Sequence, residues 1–483
     1  MKIGALGVFF IGLICTQESN AQDYQAVKGS SYAGAMSASD NPASILSTPY
    51  PWDITLLSVQ EKNTTNAITF SNFSYLHHLH HGDTLAYNWT NGDKSRYAAV
   101  DFNVHLLNVR FNVGRKQAIS FGANLRGYTS ARAGKFNYND SLASLNQFFS
   151  INEGTTFQGQ LVSSSWIELY GTYSRTLIDD EKGRLNAGVT LRVSRGISGI
   201  YAQLNGGMTT KSVMNSLSVY TVTKGSAVYG YSNNYDLWHT DQSTSQNLKN
   251  FLTRTQGGAG IDIGFEYLVK PQYVHIYGEP DDYYDYTWKF GAALLDVGEN
   301  VYIYGTQGKA VSNPNSNATD YNLNNKFLNF GTLAQFNDSL STIVNSISTP
   351  QGKFRIYDPA RFEFNVDRKF PQHFAVNADL TLNLGGSNKG KRLFTKDFTL
   401  LGITPRWETR NLGGYLPIEV TTDGRVWVGG AFKAGPLLLG VHNWANLFSK
   451  NKLQNGGFYV SLVIHPGDGF SLKEDKKYTC PKD

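Results

Sequence analysis

The feature that most constrains this chain is an alternation of apolar and polar residues with a period of two. It is clearest over residues 118–126, 185–193, 259–267, 361–367 and 374–382, where every second residue is apolar and the residues between are polar or small. Successive side chains of a β-strand point to opposite faces of the sheet, so each stretch predicts a strand with one apolar and one polar face. The sequence therefore predicts an all-β protein built from many two-faced strands.

Composition favours a membrane barrel over a soluble sandwich. Charged residues make up 17% of the 483 residues and aromatic residues 13%, whereas soluble domains have about 25% charged residues. The mean hydropathy of −0.32 agrees with a barrel, because lipid-facing and lumen-facing residues average to near neutral. No apolar run is long enough for a transmembrane helix. A transmembrane antiparallel β-barrel is therefore predicted.

The lengths of the connections between strands support the same fold. Short polar turns are predicted at 114–117, 180–183 and 421–424, and long connections rich in Asn, Ser, Thr and Tyr at about residues 129–160, 205–257 and 305–352. Short turns at one end and long loops at the other are typical of bacterial outer-membrane barrels, which have even strand numbers. We expect about 14 strands within residues 52–468, followed by a periplasmic C-terminal tail at 469–483.

Two of the long connections contain short helical patterns. The sequence LASLNQFF follows Asp140 and Ser141, and LSTIVNSI follows Asp338 and Ser339. Asp or Ser directly before an apolar periodic run is a plausible N-cap, so each pattern predicts a short helix in its loop.

The N-terminus predicts export from the cytoplasm. Lys2 precedes the apolar run Ile3–Ile14, which is too short to span a bilayer, and the small-x-small sequence Ser19–Ala21 follows. These features are typical of a signal peptide at residues 1–21, and we expect the mature protein in the cell outer membrane. The sequence Leu13–Cys15 leaves a lipoprotein alternative open, although its bulky central Ile argues against lipidation. Cleavage would leave one cysteine, Cys480, which cannot form an internal disulfide.

Residues 22–51 differ from the strands that follow them. The segment is small and polar, and Pro42, Pro49 and Pro51 interrupt it. Proline has no N–H for a strand ladder, so the segment is not a central strand. Irregular backbone cannot face lipid, because its amide groups would have no partner there. We expect an N-terminal luminal plug segment, and the alternative is a disordered periplasmic leader.

The order of five segments resembles a known group of barrels. The segments are Ser30–Val59, Trp288–Gly298, Tyr357–Leu384, Ile403–Val420 and Gly430–Phe448. Together they resemble a Bacteroidota outer-membrane β-barrel family of unknown function, which is distantly similar to the fatty-acid transporter (FadL) barrels and to the PorV-type barrels.

The resemblance implies a role for the N-terminal segment. In FadL-like barrels an N-terminal segment with an Asn-Pro-Ala sequence folds into the lumen as a hatch. By this resemblance Asn41, Pro42 and Ala43 would form the plug. The chain has no evident fatty-acid pocket signature, so the resemblance does not imply lipid transport.

The polar faces of the predicted strands contain charged residues that we expect to line the lumen. They are Arg126, Arg192, Asp262, Glu266, Glu363 and Asp379. Two interpretations stay open: the charges pair with one another or with water, or they line a pore and select solutes.

No pattern in the sequence indicates catalysis or a bound metal. The imidazole groups of the histidines at positions 77, 78, 80 and 81 are possible zinc or copper ligands. Because few carboxylates are near in the sequence, a polar rim of the barrel explains these histidines better than a metal site does. The acidic stretch Glu279–Asp285 matches no calcium-loop spacing, and no Gly-x-Ser-x-Gly elbow occurs. We expect no enzymatic activity, no catalytic residues, no metal and no cofactor. The net charge of +5 is spread out, so no nucleic-acid partner is expected.

Three function classes therefore remain for an outer-membrane barrel in contact with membrane lipid and lipopolysaccharide, of which the third, a barrel enzyme, has no catalytic pattern to support it. The first is a structural or scaffolding component of a surface or export complex, bound to other outer-membrane or periplasmic proteins. The second is a FadL-like transport barrel for a small or hydrophobic solute. The long Tyr- and Asn-rich loops and the expected plug favour the first.

Overall fold

The computed structural model describes residues 24–74, 87–271, 282–328, 330–385, 392–422, 424–448 and 451–466. The strands are β1 (Trp52–Thr65), β2 (Ile68–Phe73), β3 (Tyr87–Trp89), β4 (Gly92–Asn112), β5 (Gln117–Tyr138), β6 (Phe157–Asp179), β7 (Gly183–Met214), β8 (Leu217–Tyr231), β9 (Gln256–Val269), β10 (Trp288–Ile303), β11 (Lys309–Pro314), β12 (Val344–Ser348), β13 (Lys353–Tyr357), β14 (Arg361–Lys369), β15 (Phe374–Asn383), β16 (Leu393–Phe394), β17 (Leu400–Glu408), β18 (Leu412–Tyr415), β19 (Ile418–Thr421), β20 (Val426–Val428), β21 (Gly430–Ala434), β22 (Leu437–Val441), β23 (Asn451–Leu453) and β24 (Asn455–Ile464). The α-helices are α1 (Leu145–Ser150), α2 (Thr244–Thr253), α3 (Asp320–Phe327), α4 (Leu333–Ser341) and α5 (Ala445–Phe448).

The described residues form a closed 14-strand antiparallel barrel. The order round the ring is β1, β4, β5, β6, β7, β9, β10, β14, β15, β17, then β18 with β19, β20 with β21, β22 and β24, which pairs with β1. Two positions of the ring consist of two short strands each, because Pro417 and Gly429 interrupt them. Closure of the ring leaves no unpaired sheet edge. A bilayer requires this because lipid offers no hydrogen-bond partner to an open edge. The predicted fold class is confirmed.

The outward-facing side chains of the barrel strands are apolar, whereas the inward-facing side chains of the same strands are polar. Phe121 and Leu191 are 49% and 62% exposed, whereas Ser120 and Thr190, their neighbours in the chain, are buried. Outward aromatic residues lie near the ends of several strands, among them Trp52, Trp288, Phe374 and Trp407. An apolar outer band with aromatic residues at its margin is the surface of a membrane barrel. None of the described helices has the length and hydropathy needed to cross a bilayer.

The two ends of the barrel differ. At one end, called the turn end, residues 113–116 and 180–182 join strands directly, and β1 begins and β24 ends there. At the other, the loop end, β7 continues past the ring to Met214 and pairs with β8. Strand β8 pairs in turn with β11, and β11 pairs with β12. Helices α1, α3 and α4 pack near this outer ribbon. The expected asymmetry of the connections is therefore present.

Two expectations about the connections were wrong. The turn at 421–424 lies at the loop end, because β19 runs towards that end before the chain returns in β20. The long connections are also shorter than expected, because 129–138 and 205–214 continue β5 and β7. A strand can extend beyond the membrane wherever a neighbour supplies its ladder bonds, as β8 does for β7.

The predicted loop helices have different outcomes. Helix α1 is present but begins later than predicted: its N-cap is Ser144, not Asp140 or Ser141, and the Ser144 side chain accepts from the Gln147 N–H. The second helix was misplaced: α4 begins at Leu333 after the N-cap Thr332, and Val344–Ser348 is strand β12.

Candidate functional site in the barrel interior

The N-terminal segment, residues 24–51, lies against inward-facing side chains on opposite sides of the ring. Its 3-10 helices span Gln25–Val27, Gly34–Ser39 and Pro42–Ser47. The first part packs on strands near β24, through Met36, Tyr415 and Tyr459 among others. The last part packs on β5 and β6, where Ile45 and Leu46 contact Ala118 and Tyr170. The segment therefore crosses the interior.

The Asn-Pro-Ala sequence sits where two strands carry glycine. Asn41 caps the third 3-10 helix: its Oδ1 accepts from the Ala43 N–H at 3.0 Å, and its Nδ2 donates to the Phe265 carbonyl at 2.9 Å. A Cβ on Gly264 would lie 2.0 Å from Asn41 Oδ1, and one on Gly188 would lie 2.4 Å from the carbonyl carbon of Pro42. The two glycines thus make the close approach of the segment possible.

Ionic and polar bonds hold the segment to three strands that are far from β5 and β6. Lys28 Nζ lies 3.0 Å from Glu363 Oε1. Gln25 Nε2 donates to Asp379 at 2.5 Å, and Ser30 donates to Glu408 at 2.6 Å. Each of these carboxylates is buried, so the donors of the segment offset part of the cost of burying their charge.

The C-terminal end of the segment is held by Arg110, close to the beginning of strand β1. Arg110 on β4 donates to the carbonyls of Ile45 at 2.9 Å and of Tyr50 at 2.8 Å, and it pairs with Asp53 at 3.2 Å. Burial raises the pKa of the Tyr50 phenol well above its ordinary value, as it does for Tyr24, so both rings stay neutral.

Beside the segment, buried charged residues form a central ionic cluster. Asp296 on β10 accepts from Arg126 Nη1 at 2.6 Å and from Arg126 Nη2 at 2.7 Å, and it also contacts Arg192 and Arg361. Arg192 pairs in addition with Asp262 at 2.7 Å. All five side chains are at most 7% exposed. Three guanidinium groups thus share one carboxylate in the middle of the lumen.

The side of the cluster nearer the loop end is aromatic. The rings of Tyr128 and Trp166 stack with centroids 5.7 Å apart, and the Arg126 guanidinium lies 5.6 and 5.3 Å from them. From the loop between β16 and β17, Asp397 Oδ2 approaches Arg361 Nε at 3.5 Å. Parts of the protein chain therefore enter the interior from both ends of the barrel.

Two of the cavities between these groups are small. One cavity of about 20 Å³ lies between the segment and the Glu363–Asp379 pair, and a second of about 20 Å³ lies between the segment and the central ionic cluster. Each has room for roughly one water molecule.

The structure buries all six charged residues that the sequence placed in the lumen. Arg126, Arg192 and Asp262 belong to the central ionic cluster, Glu363 and Asp379 bind Lys28, and Glu266 accepts from Ser44 and Ser47. Sequence reasoning missed the residues that connect these groups: Lys28, Arg110, Glu168 and Asp296. For Asp296 the signal was a break in the alternation, since two leucines precede it.

Other candidate groups have no structural support as sites. Residues 77–81 with their histidines lie outside the described residues, as do 279–281 of the acidic stretch and the tail with Cys480. Asp285, the last residue of the acidic stretch, pairs with Lys369. Within the described ranges no cluster of His, Cys, Asp and Glu side chains has the arrangement of a metal site.

Comparison with known protein families gives one match, over residues 42–441. The chain belongs to DUF5723, a family of unknown function. The match runs from Pro42 in the N-terminal segment to Val441 at the end of β22, so the DUF5723 region includes the Pro-Ala sequence, the central ionic cluster and most barrel strands. A search of curated proteins gives no match.

Three solved structures illustrate the likeness to other barrels. The toluene transporter TbuX of Ralstonia pickettii is 12% identical and covers 89% of this chain and 92% of its own, with a TM-score of 0.36. The toluene transporter TodX of P. putida is 11% identical over 89% and 93%, with a TM-score of 0.38. The outer membrane protease OmpT of Escherichia coli is 8% identical over 86% and 96%, with a TM-score of 0.20. None of these similarities is high enough to assign a substrate or a reaction to this member of DUF5723.

Proposed function

We propose that this outer-membrane barrel is closed at rest and acts as a structural component of a surface or export complex. The observation that supports this proposal is the filled lumen: residues 24–51 cross the interior, bonds to Arg110, Glu363 and Asp379 hold them, and the cavities beside them hold about 20 Å³ each. A barrel filled in this way offers a rigid scaffold. We also propose that residues 1–21 direct its export and are then removed.

The outer ribbon is the surface we assign to partner binding. Its hairpin between β7 and β8 exposes Val213, Met214 and Leu217 by 68%, 63% and 71%, and Tyr321 on α3 is 73% exposed. Single exposed apolar residues are common, but several at the tip of one ribbon are typical of an interaction surface. We expect other outer-membrane proteins to co-purify with the wild type and to be lost when Val213, Met214 and Leu217 are replaced by Ser.

Conductance tests the closed lumen directly. Full-length protein in a planar bilayer should pass no steady current, whereas a variant that lacks Tyr24–Thr48 should stay folded and conduct, because no other described segment fills that part of the interior. Heat-modifiable gel mobility checks that the truncated barrel has folded. Equal conductance of the two proteins would contradict closure by the segment.

Gated transport of a small solute is the second candidate. It is favoured by the way the segment is held: its side chains make hydrogen bonds, ion pairs and small apolar contacts but no strand ladder with the barrel. Water can replace such polar bonds when the segment moves, so displacement does not require the sheet to open. A solute that raises the current of the full-length protein above zero would support transport over a purely structural role.

A further inference from the structure

Glu363 and Asp379 form a pair of buried acceptors on neighbouring strands. Glu363 lies on β14 opposite Thr381 of β15, and Asp379 lies one inward position away. Lys28 Nζ lies 3.0 Å from Glu363 Oε1, 3.7 Å from Asp379 Oδ2 and 3.4 Å from Thr381 Oγ1. The ammonium group thus sits among three oxygens that all belong to the barrel wall.

The fit of the N-terminal segment to these acceptors is imperfect. Gln25 donates one amide hydrogen bond to Asp379, but its Oε1 is buried and accepts no hydrogen bond from the described residues. A buried amide oxygen without a donor costs free energy. A cavity of about 20 Å³ also lies at this site, and its charged lining residues are Lys28, Asp40, Lys289, Glu363 and Asp379. A ligand that fills this space and satisfies the same acceptors can therefore compete with the segment.

The charges that remain without the segment favour a cation. Arg361 stays beside Glu363 at 3.3 Å, and Lys289 stays near Glu266 at 4.0 Å. Asp379 keeps the Asn377 amide at 3.3 Å but loses the donors of both Gln25 and Lys28. Displacement of the segment therefore removes one cation and one amide donor from this pair of buried carboxylates, and a second cation restores the balance of charge.

We propose that Glu363, Asp379 and Thr381 form a binding site for the ammonium group of an amine-bearing solute, and that Lys28 occupies this site as an internal ligand when the barrel is closed. A solute amine that takes the place of Lys28 releases the segment and shifts the barrel towards an open state. This inference rests on the proposed closure of the lumen by the N-terminal segment.

Chemical rescue tests the site without reference to conductance. Lys28→Ala in the full-length protein should lower the urea concentration at the unfolding midpoint, because two buried carboxylates lose a donor. n-Butylammonium chloride should raise that midpoint again, whereas n-butanol and sodium chloride at the same concentration should not. Adding Glu363→Gln and Asp379→Asn to Lys28→Ala should abolish the response to the amine. An equal response to amine and alcohol, or a response that survives in the triple variant, would overturn the proposal.

A second measurement uses a barrel in which Lys28 is intact. Val27→Cys in a Cys480→Ser background places a thiol at a position that is 3% exposed in the closed state. At a concentration of about ten times its Kd, butylammonium should increase the reaction of this thiol with maleimide about tenfold, by population shift. If butanol accelerates labelling as much, the amine site is refuted. If full-length protein conducts freely while rescue by amine persists, the closed-lumen proposal fails and the amine site stands.

Discussion

The most direct test of the interior is the removal of one charge, Asp296→Asn. Asp296 has a backbone φ of +57°, in the left-handed region that both Asp and Asn tolerate. The substitution therefore changes charge with little change of shape. After it, Arg192 keeps Asp262 at 2.7 Å and Arg361 keeps Glu363 at 3.3 Å, but Arg126 keeps Glu168 at only 3.5 Å.

The magnitude follows from the burial of these partners. All three guanidinium groups that contact Asp296 are at most 7% exposed, and removal of one partner from a buried ion pair costs about 3–5 kcal/mol. We expect Asp296→Asn to lower the free energy of unfolding by about that amount. The matched control is Asp93→Asn, because Asp93 pairs with Lys135 at 2.9 Å on the surface with side chains more than half exposed. A surface pair contributes about 0–1 kcal/mol.

Urea-dependent unfolding in liposomes, followed by tryptophan fluorescence and gel mobility, measures both variants. The reasoning requires a clear difference between them. If Asp296→Asn and Asp93→Asn lose the same stability, within about 0.5 kcal/mol, the central ionic cluster does not stabilise the barrel.

Three further predictions concern the membrane. Phe121→Arg should destabilise the barrel by about 2–4 kcal/mol because Phe121 faces lipid. Val213→Arg, at a similarly exposed apolar site in the outer ribbon, should leave the stability within about 0.5 kcal/mol of wild type. Equal losses of stability would mean that one of the two faces is wrongly assigned. In a Cys480→Ser background, Asp140→Cys, an exposed loop-end position outside the outer ribbon, should react with an impermeant maleimide on intact cells. Arg115→Cys, at the turn end, should react only after the outer membrane is opened, and the reverse result would invert the barrel. The protein should also fractionate with the outer membrane and resist carbonate extraction.

The barrel could be predicted from sequence because its two solvents impose a local pattern. Lipid outside and a polar interior make the side chains alternate along each strand, and the period of two is visible without knowledge of any partner strand. The alternation from Ile119 to Arg126 gives both faces of β5. The position of Asp296 could not be derived in this way, since the pairing of β10 with β9 shifts register between Leu294 and Val297. A bulge turns a side chain to the other face. The two leucines before Asp296 show in the sequence that the alternation breaks, but the direction in which Asp296 points follows only from the partner strand.

Non-local strand pairing also explains why the second loop helix, α4, was predicted at the wrong position. Thr332 and Asp338 are both acceptable N-caps, and both precede an apolar run. The choice depends on Val344–Ser348, which pairs with β11 as strand β12 and so ends the helix before it. The turn at 421–424 shows the same limit: its sequence predicts a tight turn but not the end of the barrel at which it lies.

The residues of the strands, and not only those of the N-terminal segment, determine how the segment lies in the lumen. A last prediction follows from this. Gly264 and Gly188 occupy inward positions where side chains would collide with Asn41 and Pro42: the nearest approaches of a Cβ would be 2.0 and 2.4 Å. The contact at Gly188 is with the Pro42 backbone, and the contact at Gly264 is with the Asn41 side chain, which could turn away only by giving up its hydrogen bonds to Ala43 and Phe265. Gly264→Ala should therefore push the segment out of place, at a cost of about 1–3 kcal/mol, while the strand itself gains stability.

The matched control for Gly264→Ala is Gly171→Ala on β6, where a Cβ meets nothing within 4 Å. We expect Gly264→Ala to raise the bilayer conductance of the full-length protein and to speed maleimide labelling of Val27→Cys, and Gly171→Ala to change neither. A barrel that stays closed and unlabelled in Gly264→Ala would mean that the segment can shift within the lumen without leaving it. The close contacts with glycine would then position the segment but not determine whether it stays, and the bonds of Arg110 and Lys28 would have to hold it alone.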